Sequence, residues 1–292
     1  MSRRHRPMLR PRLYLLGAAA LWSTAGAAIK LSHLDAFQLS SGRSLIAAGV
    51  LFLIFPESRR RPNLRMLAVA AAYAATVVLF IFANKLTTSA NAIFLQDTAP
   101  LYVLLLSPLL LRERPSRGEL AAVPIFLLGL SLFFLDQLSP GQFQGNLVAL
   151  GSGVAFALTI LGMRAASTEG SAILFWGNLI AGFGLLTPAL SGPSPTLMDA
   201  GLLAFLGIFQ LGLGYAFFQR GLRDVPAVEA SLLVLLEPVL NPVWAFVFAG
   251  EQPGPWALVG GSIILLATAW RTVVGVRGTG AAPAKVSAQE KA

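Results

Sequence analysis

The sequence predicts an all-α membrane protein: ten transmembrane helices forming two inverted five-helix repeats, with both termini cytoplasmic. Three features lead there: a shortage of charge, a succession of apolar runs of membrane-spanning length, and a match between the two halves of the chain.

Only 12% of the residues are charged, 55% are hydrophobic, and the mean hydropathy is +0.70. A soluble domain carries about 25% charged residues, so a chain this poor in charge cannot cover a water-facing surface. Most of its exterior must face the lipid bilayer. The formal charge of +9 raises the question of nucleic acid. However, the basic residues fall in short clusters between apolar runs, without the aromatic interleaving that single strands require, and no nucleic-acid partner is expected. The absence of cysteine excludes disulfides, thiolate metal sites and cysteine nucleophiles. His5 and His33 are the only histidines, so neither a metal site nor any other cofactor is expected.

A span needs roughly 20 mostly apolar residues. Ten such runs are found, at 13–31, 36–55, 66–84, 90–111, 118–135, 145–166, 171–190, 198–220, 226–249 and 255–275. The first follows Arg3, Arg4, Arg6, Arg10 and Arg12 in the manner of a signal peptide. It is too long for an h-region and heads a series of similar runs, so it is read as helix one. The chain then divides into a basic cytoplasmic tail (1–12), a first repeat (13–135), a second, inverted repeat (145–275) and a disordered tail (278–292). The connections leave no room for a soluble domain, and nothing points to an obligate protein partner. Of the lysines and arginines, 19 fall on one side, only Lys30 and Lys85 on the other, and Arg43 within a span. The positive-inside rule makes the richer side cytoplasmic and gives a multi-pass protein of the bacterial inner membrane.

Shifting the second half back by 138 residues sets Ala230 on Ala92, Pro238 on Pro100, Glu251 on Glu113 and Pro253 on Pro115. With a shift near 134, Leu150 and Gly151 fall on Leu16 and Gly17, and Phe156 on Trp22. Five spans per half require the second half to enter the membrane from the opposite face. Charge agrees: the arginine-rich loop near residue 60 has a counterpart, Ser191 to Thr196, with no basic residue. Inverted halves can exchange conformations, opening a central site first to one side and then to the other, which is the behaviour of a transporter.

Ionisable residues inside spans cost roughly 2.5 to 3.5 kcal/mol and are functional candidates. Arg43, Asp97, Glu229 and Glu237 qualify. Asp97 lies three residues before Pro100; Glu237 directly precedes Pro238 and shares a helix face with Asn241. A proline frees an upstream carbonyl and bends its helix, tolerable only where protein or a hydrated cavity satisfies the backbone. Pro100 and Pro238 are therefore candidate kink or gating positions. One reading places a polar site around Asp97, Glu237 and Asn241, able to bind an amino group or carry a proton. The other pairs Arg43 with Asp97 or Glu237 in a purely structural ion pair. Glu229, near a helix end, is expected to snorkel. Among the side-chain amides Asn91, Gln96, Asn178 and Gln210, the last stands out because Gly207, Gly212 and Gly214 surround it. Trp22 and Phe156, equivalent in the two halves, are candidates for a symmetric cavity wall, with Phe80 and Tyr215 beside them.

Ten spans as five plus five, the Gly17 to Trp22 pattern and Arg43 resemble the drug/metabolite transporter superfamily. The helix-four and helix-nine prolines followed by Glu113 and Glu251 resemble its EamA-type branch, and within it the YddG-type bacterial exporters of aromatic and other amino acids. The resemblance spans residues 13 to 275. It implies export from cytoplasm to periplasm without ATP hydrolysis, and a cavity formed by helices one, three, four, six, eight and nine. Ala99 and Ala155 stand where it implies bulky rings, so the expected substrates are amino acids more broadly, with related small metabolites. Competing readings are a multidrug or other-metabolite exporter of the same superfamily, a channel, or an intramembrane enzyme using Asp97 and Glu237. The chain lacks HExxH and GxSxG motifs, so no enzymatic activity is expected. Helix one lacks the acid on which small multidrug exporters depend.

Overall fold

A computed structural model of the chain describes residues 9–135, 142–240 and 254–278, and among them every regular element is helical. The first span is a bent rod of α1 (Leu9–Trp22) and α2 (Ala25–Leu31). At the bend, the hydroxyls of Ser23 and Thr24 turn back to the carbonyls of Ala20 and Leu21, each at 2.7 Å, which competes with the helical ladder. The described chain is already helical at Leu9, ahead of residue 13, and Arg12 is buried in the bundle. α3 (Ala36–Ile54) opens on a capping box made by Asp35 and Gln38; α4 (Leu64–Leu86) opens on an Asn63 cap.

The fourth span is broken into α5 (Ser89–Gln96) and α6 (Ala99–Leu110) at Asp97 and Thr98, directly upstream of Pro100. Pro100 has no N–H to donate to the carbonyl of Gln96, and the Thr98 hydroxyl bonds back to Leu95 O at 2.6 Å. α7 (Arg117–Phe133) follows from a Ser116–Glu119 capping box. α8 (Phe143–Ala165), α9 (Gly170–Gly184) and the short α10 (Leu186–Ala189) come next. The eighth span runs from α11 (Leu197–Phe205) through a π-helical stretch, Leu206–Leu213, into α12 (Gly214–Leu222). α13 (Ala227–Leu233) breaks at Val234 and Leu235, upstream of Pro238, and helix resumes over 236–240. α14 (Pro255–Gly278) ends the described chain, and Asn241, Glu251 and Pro253 lie outside the described residues.

Among the described residues, seven helices are long and apolar enough to cross a membrane: Leu9–Leu31, Ala36–Ile54, Leu64–Leu86, Asn91–Leu110, Phe143–Ala165, Leu197–Leu222 and Pro255–Val273. The other three expected spans fall short for separate reasons. α7 has 17 residues and α9 has 15, about 25 and 22 Å of rise. The third begins with α13 and passes out of the described residues after 240. Large apolar side chains such as Leu53, Leu109 and Leu266 stand on outer faces, more than two-thirds exposed. Such surface suits lipid and not water, and the chain is a multi-pass membrane protein.

Packing follows the internal offset. α4 packs on α8, and their counterparts α12 and α1 pack together. α4 also packs on α9, as the π stretch does on α3. The pairs α3 with α9 and α7 with α14 each join an element to its own counterpart. The α7–α14 crossing depends on bare backbone: a methyl group on Gly260 would run into Phe133 N and Gly129 O. Helix ends match too. Lys30 donates to Asn84 O at 2.7 Å and Thr87 O at 3.3 Å, at the end of α4. Arg164, 134 residues later, donates to the carbonyls of Leu222 and Arg223 at the end of α12. Cations there complement the negative end of the helix dipole.

Candidate functional site

A pocket lies where the two halves meet, lined by Trp22, Arg43, Thr76, Val77, Phe80, Gln96, Phe156, Gln210, Leu211, Tyr215 and Glu237. The free space among these side chains, including the part open to the surroundings, is about 350 Å³. The lining is paired under the repeat: Trp22 with Phe156, Thr76 with Gln210, and Val77 with Leu211 are each 134 residues apart. Six expected site residues, Trp22, Phe80, Phe156, Gln210, Tyr215 and Glu237, come together here, and Arg43 joins them from α3.

The aromatic wall is continuous. Trp22 stands 4.6 Å from Tyr215, 5.2 Å from Phe218 and 5.8 Å from Phe156, measured between ring centroids. Tyr73 meets Tyr215 edge-on at 4.7 Å, and its hydroxyl accepts from Asn178 at 2.9 Å. The polar wall is a belt between α4, α5 and α8. Gln96 donates to Ser152 Oγ at 2.6 Å, Ser152 donates to Thr76 O at 3.0 Å, and the hydroxyls of Thr76 and Thr159 lie 3.1 Å apart. Gly153 lets α8 approach the carbonyls of Leu95 and Gln96 at the helix break; a Cβ there would sit 3.0 Å from each.

Arg43 is 1% exposed. Its Nη1 donates to Gln210 Oε1 at 3.1 Å and its Nη2 to Val77 O at 2.6 Å. The expected ion pair with Asp97 or Glu237 is not formed. The ion pairs among the described residues join Arg12 and Arg271 to Glu229, and Arg164 to Glu113. Neutral acceptors within reach of the guanidinium take the place of a carboxylate. Asp97 is buried at the break between α5 and α6 and does not line the pocket, and its Oδ2 has no hydrogen-bond partner. The expected partner Asn241 lies outside the described residues.

Glu229 does not snorkel. It is 3% exposed and accepts from Arg12 Nε at 2.6 Å and Arg271 Nη2 at 3.3 Å. Asn91 ties helix ends together through Thr87 and Asn146, both at 3.0 Å, away from the pocket. At the other end of the bundle from Glu229, Asp199 accepts from Ser32 Oγ at 2.8 Å and His33 N at 3.0 Å. Polar contacts between the halves thus bracket the pocket at both ends. No cluster of histidine or acidic side chains that could hold a metal ion occurs among the described residues.

Thr76, Val77 and Leu211 were not among the sequence candidates. The 134-residue offset would have found Thr76, as the partner of Gln210.

The EamA-like transporter family matches the chain twice, over residues 10–135 and 143–272. The chain belongs to that family. Among curated relatives, an uncharacterized transporter, YwfM, of Bacillus subtilis is 29% identical over 87% of this chain and 90% of its own length. A protein of Streptantibioticus cattleyicolor named as a probable terminal-alkyne amino-acid exporter is 25% identical over 83% of this chain and 86% of its own. A crystal structure sharing 20% identity superposes with a TM-score of 0.78, covering 90% of this chain and 97% of that one, and bears on the fold alone. Membership of the EamA-like family makes the chain a transporter.

Proposed function

We propose that this protein exports amino acids and related small metabolites from the cytoplasm by alternating access, working in the inner membrane as ten spans in two inverted halves with both termini cytoplasmic. The observation that carries the reading is the pocket at the junction of the halves, with its lining in matched pairs. Two family matches of similar length and the exchange of packing partners between halves support the repeat. Five spans each and the inverted charge pattern support its inversion. An equivalent pair of halves rocking about a central pocket opens it to each side in turn.

The chemistry of the wall favours a small zwitterion. Glu237 faces the pocket as a partner for an ammonium group, and the Trp22, Phe156 and Tyr215 rings provide an apolar surface for a side chain. The name of the S. cattleyicolor relative points the same way. A general drug exporter would call for a wider apolar chamber, whereas here a cation and a carboxylate lie in one small pocket.

The test is uptake of a radiolabelled amino-acid panel into proteoliposomes, with and without a pH gradient. Saturable uptake of at least one amino acid is expected. Failure of the whole panel overturns the amino-acid assignment in favour of other metabolites or drugs. Loss of uptake when the gradient is removed would assign proton coupling, and uptake unaffected by it a facilitator.

A further inference from the structure

We propose that Arg43 is a carboxylate-binding residue of the pocket, its guanidinium held by Gln210 until the carboxylate of a substrate takes that place. The inference rests on the amino-acid reading and narrows it: every good substrate must carry a free carboxylate.

Three observations converge. Arg43 is a permanent cation, 1% exposed, lining the pocket with no carboxylate of the described residues within ion-pair distance. A buried charge without a counter-ion is costly and is retained where function uses it. Its donors are only partly engaged: Nη1 and Nη2 bond to neutral oxygens and Nε has no partner. Charge-assisted, bidentate bonds to a carboxylate are roughly twice as strong as neutral ones, so an incoming carboxylate outcompetes the Gln210 amide.

The third observation is where Gln210 sits. It lies within the π-helical stretch Leu206–Leu213, a geometry found frequently at functional sites. Gly207 lets that stretch press against α3, where a Cβ would meet Ile46 at 2.6 Å and Arg43 O at 2.8 Å. The π turn therefore delivers the Gln210 amide to the guanidinium and, through the same crossing, ties α3 to the eighth span. Replacing the amide by substrate loosens this tie when the pocket fills. A phosphate dianion fits less well, since the other buried cations among the described residues, Arg12 and Arg271, are already paired with Glu229.

The test is equilibrium binding to the purified full-length protein in detergent. Ligands are phenylalanine and leucine, their uncharged-carboxyl amides, and phenylpropionate and methylpentanoate, which keep the carboxylate and lack the amine. Wild type should bind acids about tenfold or more tighter than the matching amides. Arg43→Gln should erase that preference and Arg43→Lys should retain part of it. Gln210→Glu gives Arg43 an internal carboxylate, so the variant should fold and lose acid binding while amide binding persists. Equal binding of acids and amides by wild type, or acid binding unchanged in Gln210→Glu, overturns the assignment. Binding of the simple carboxylates without any amino acid would sink the amino-acid reading and leave the anchor standing. Binding of no carboxylate would sink the anchor as well.

Discussion

Arg12 Nε donates to Glu229 Oε1 at 2.6 Å across 217 residues of chain, and Arg271 reaches the other oxygen of the same carboxylate at 3.3 Å. The start of α1, the start of α13 and the end of α14 are thus tied at one buried carboxylate. Glu229→Gln keeps the shape and removes the charge that two buried guanidiniums share. Breaking a buried pair from one side costs about 3 to 5 kcal/mol. A clear fall in the thermal unfolding midpoint in detergent is expected, and an unchanged midpoint would show that the triad adds no stability.

The pocket can be narrowed without touching a charge. A methyl group on Gly214 would lie 2.5 Å from Trp22 Nε1 and 2.8 Å from Cδ1, too close for any real Cβ. Trp22 is held by Tyr215, Phe156 and Phe218, so displacement drives its ring toward the pocket space. Gly214→Ala should therefore raise KM for large substrates more than for small ones, measured by uptake of phenylalanine against alanine. An equal effect on both would mean that the ring does not set the size limit.

Asp97 poses a different question, because its Oδ2 has no partner although the residue is only 5% exposed. It makes no ion pair among the described residues. Asp97→Asn should leave stability unchanged, since no ion pair is broken, and abolish any dependence of uptake on a pH gradient while exchange continues. The reading is refuted if gradient-driven accumulation survives in the variant.

Much of this site was legible as spacing. Pro100 and Pro238 marked the two helix breaks because a missing N–H acts locally, within four residues. Charges within apolar runs marked Arg43 and Glu237, and the 134-residue offset marked Trp22 and Phe156. What stayed hidden depends on distant chain. Glu229 read as a snorkelling end because its partners Arg12 and Arg271 lie 217 and 42 residues away. Arg43 invited a carboxylate partner, but which side chain reaches it depends on the π turn of Leu206–Leu213, a change of register that no proline announces. Thr76, with an ordinary hydroxyl in an apolar helix, becomes conspicuous only when the offset is applied to Gln210.

The inverted arrangement can be tested in the chain as it stands, since it has no cysteine and is its own background for single-cysteine labelling. Arg61 and Ser194 are exposed and occupy equivalent loops of the two halves, each between the second and third span of its repeat. Inverted repeats place them on opposite faces of the membrane, and parallel repeats place them on the same face. In intact cells, a membrane-impermeant maleimide should label Ser194→Cys and His33→Cys, and spare Arg61→Cys and Arg114→Cys until the cells are opened. Labelling of Arg61→Cys and Ser194→Cys from the same side would exclude inversion. Alternating access would then need a hinge other than the exchange of equivalent halves, because only halves of opposite orientation can swap conformations and so present one pocket to both sides.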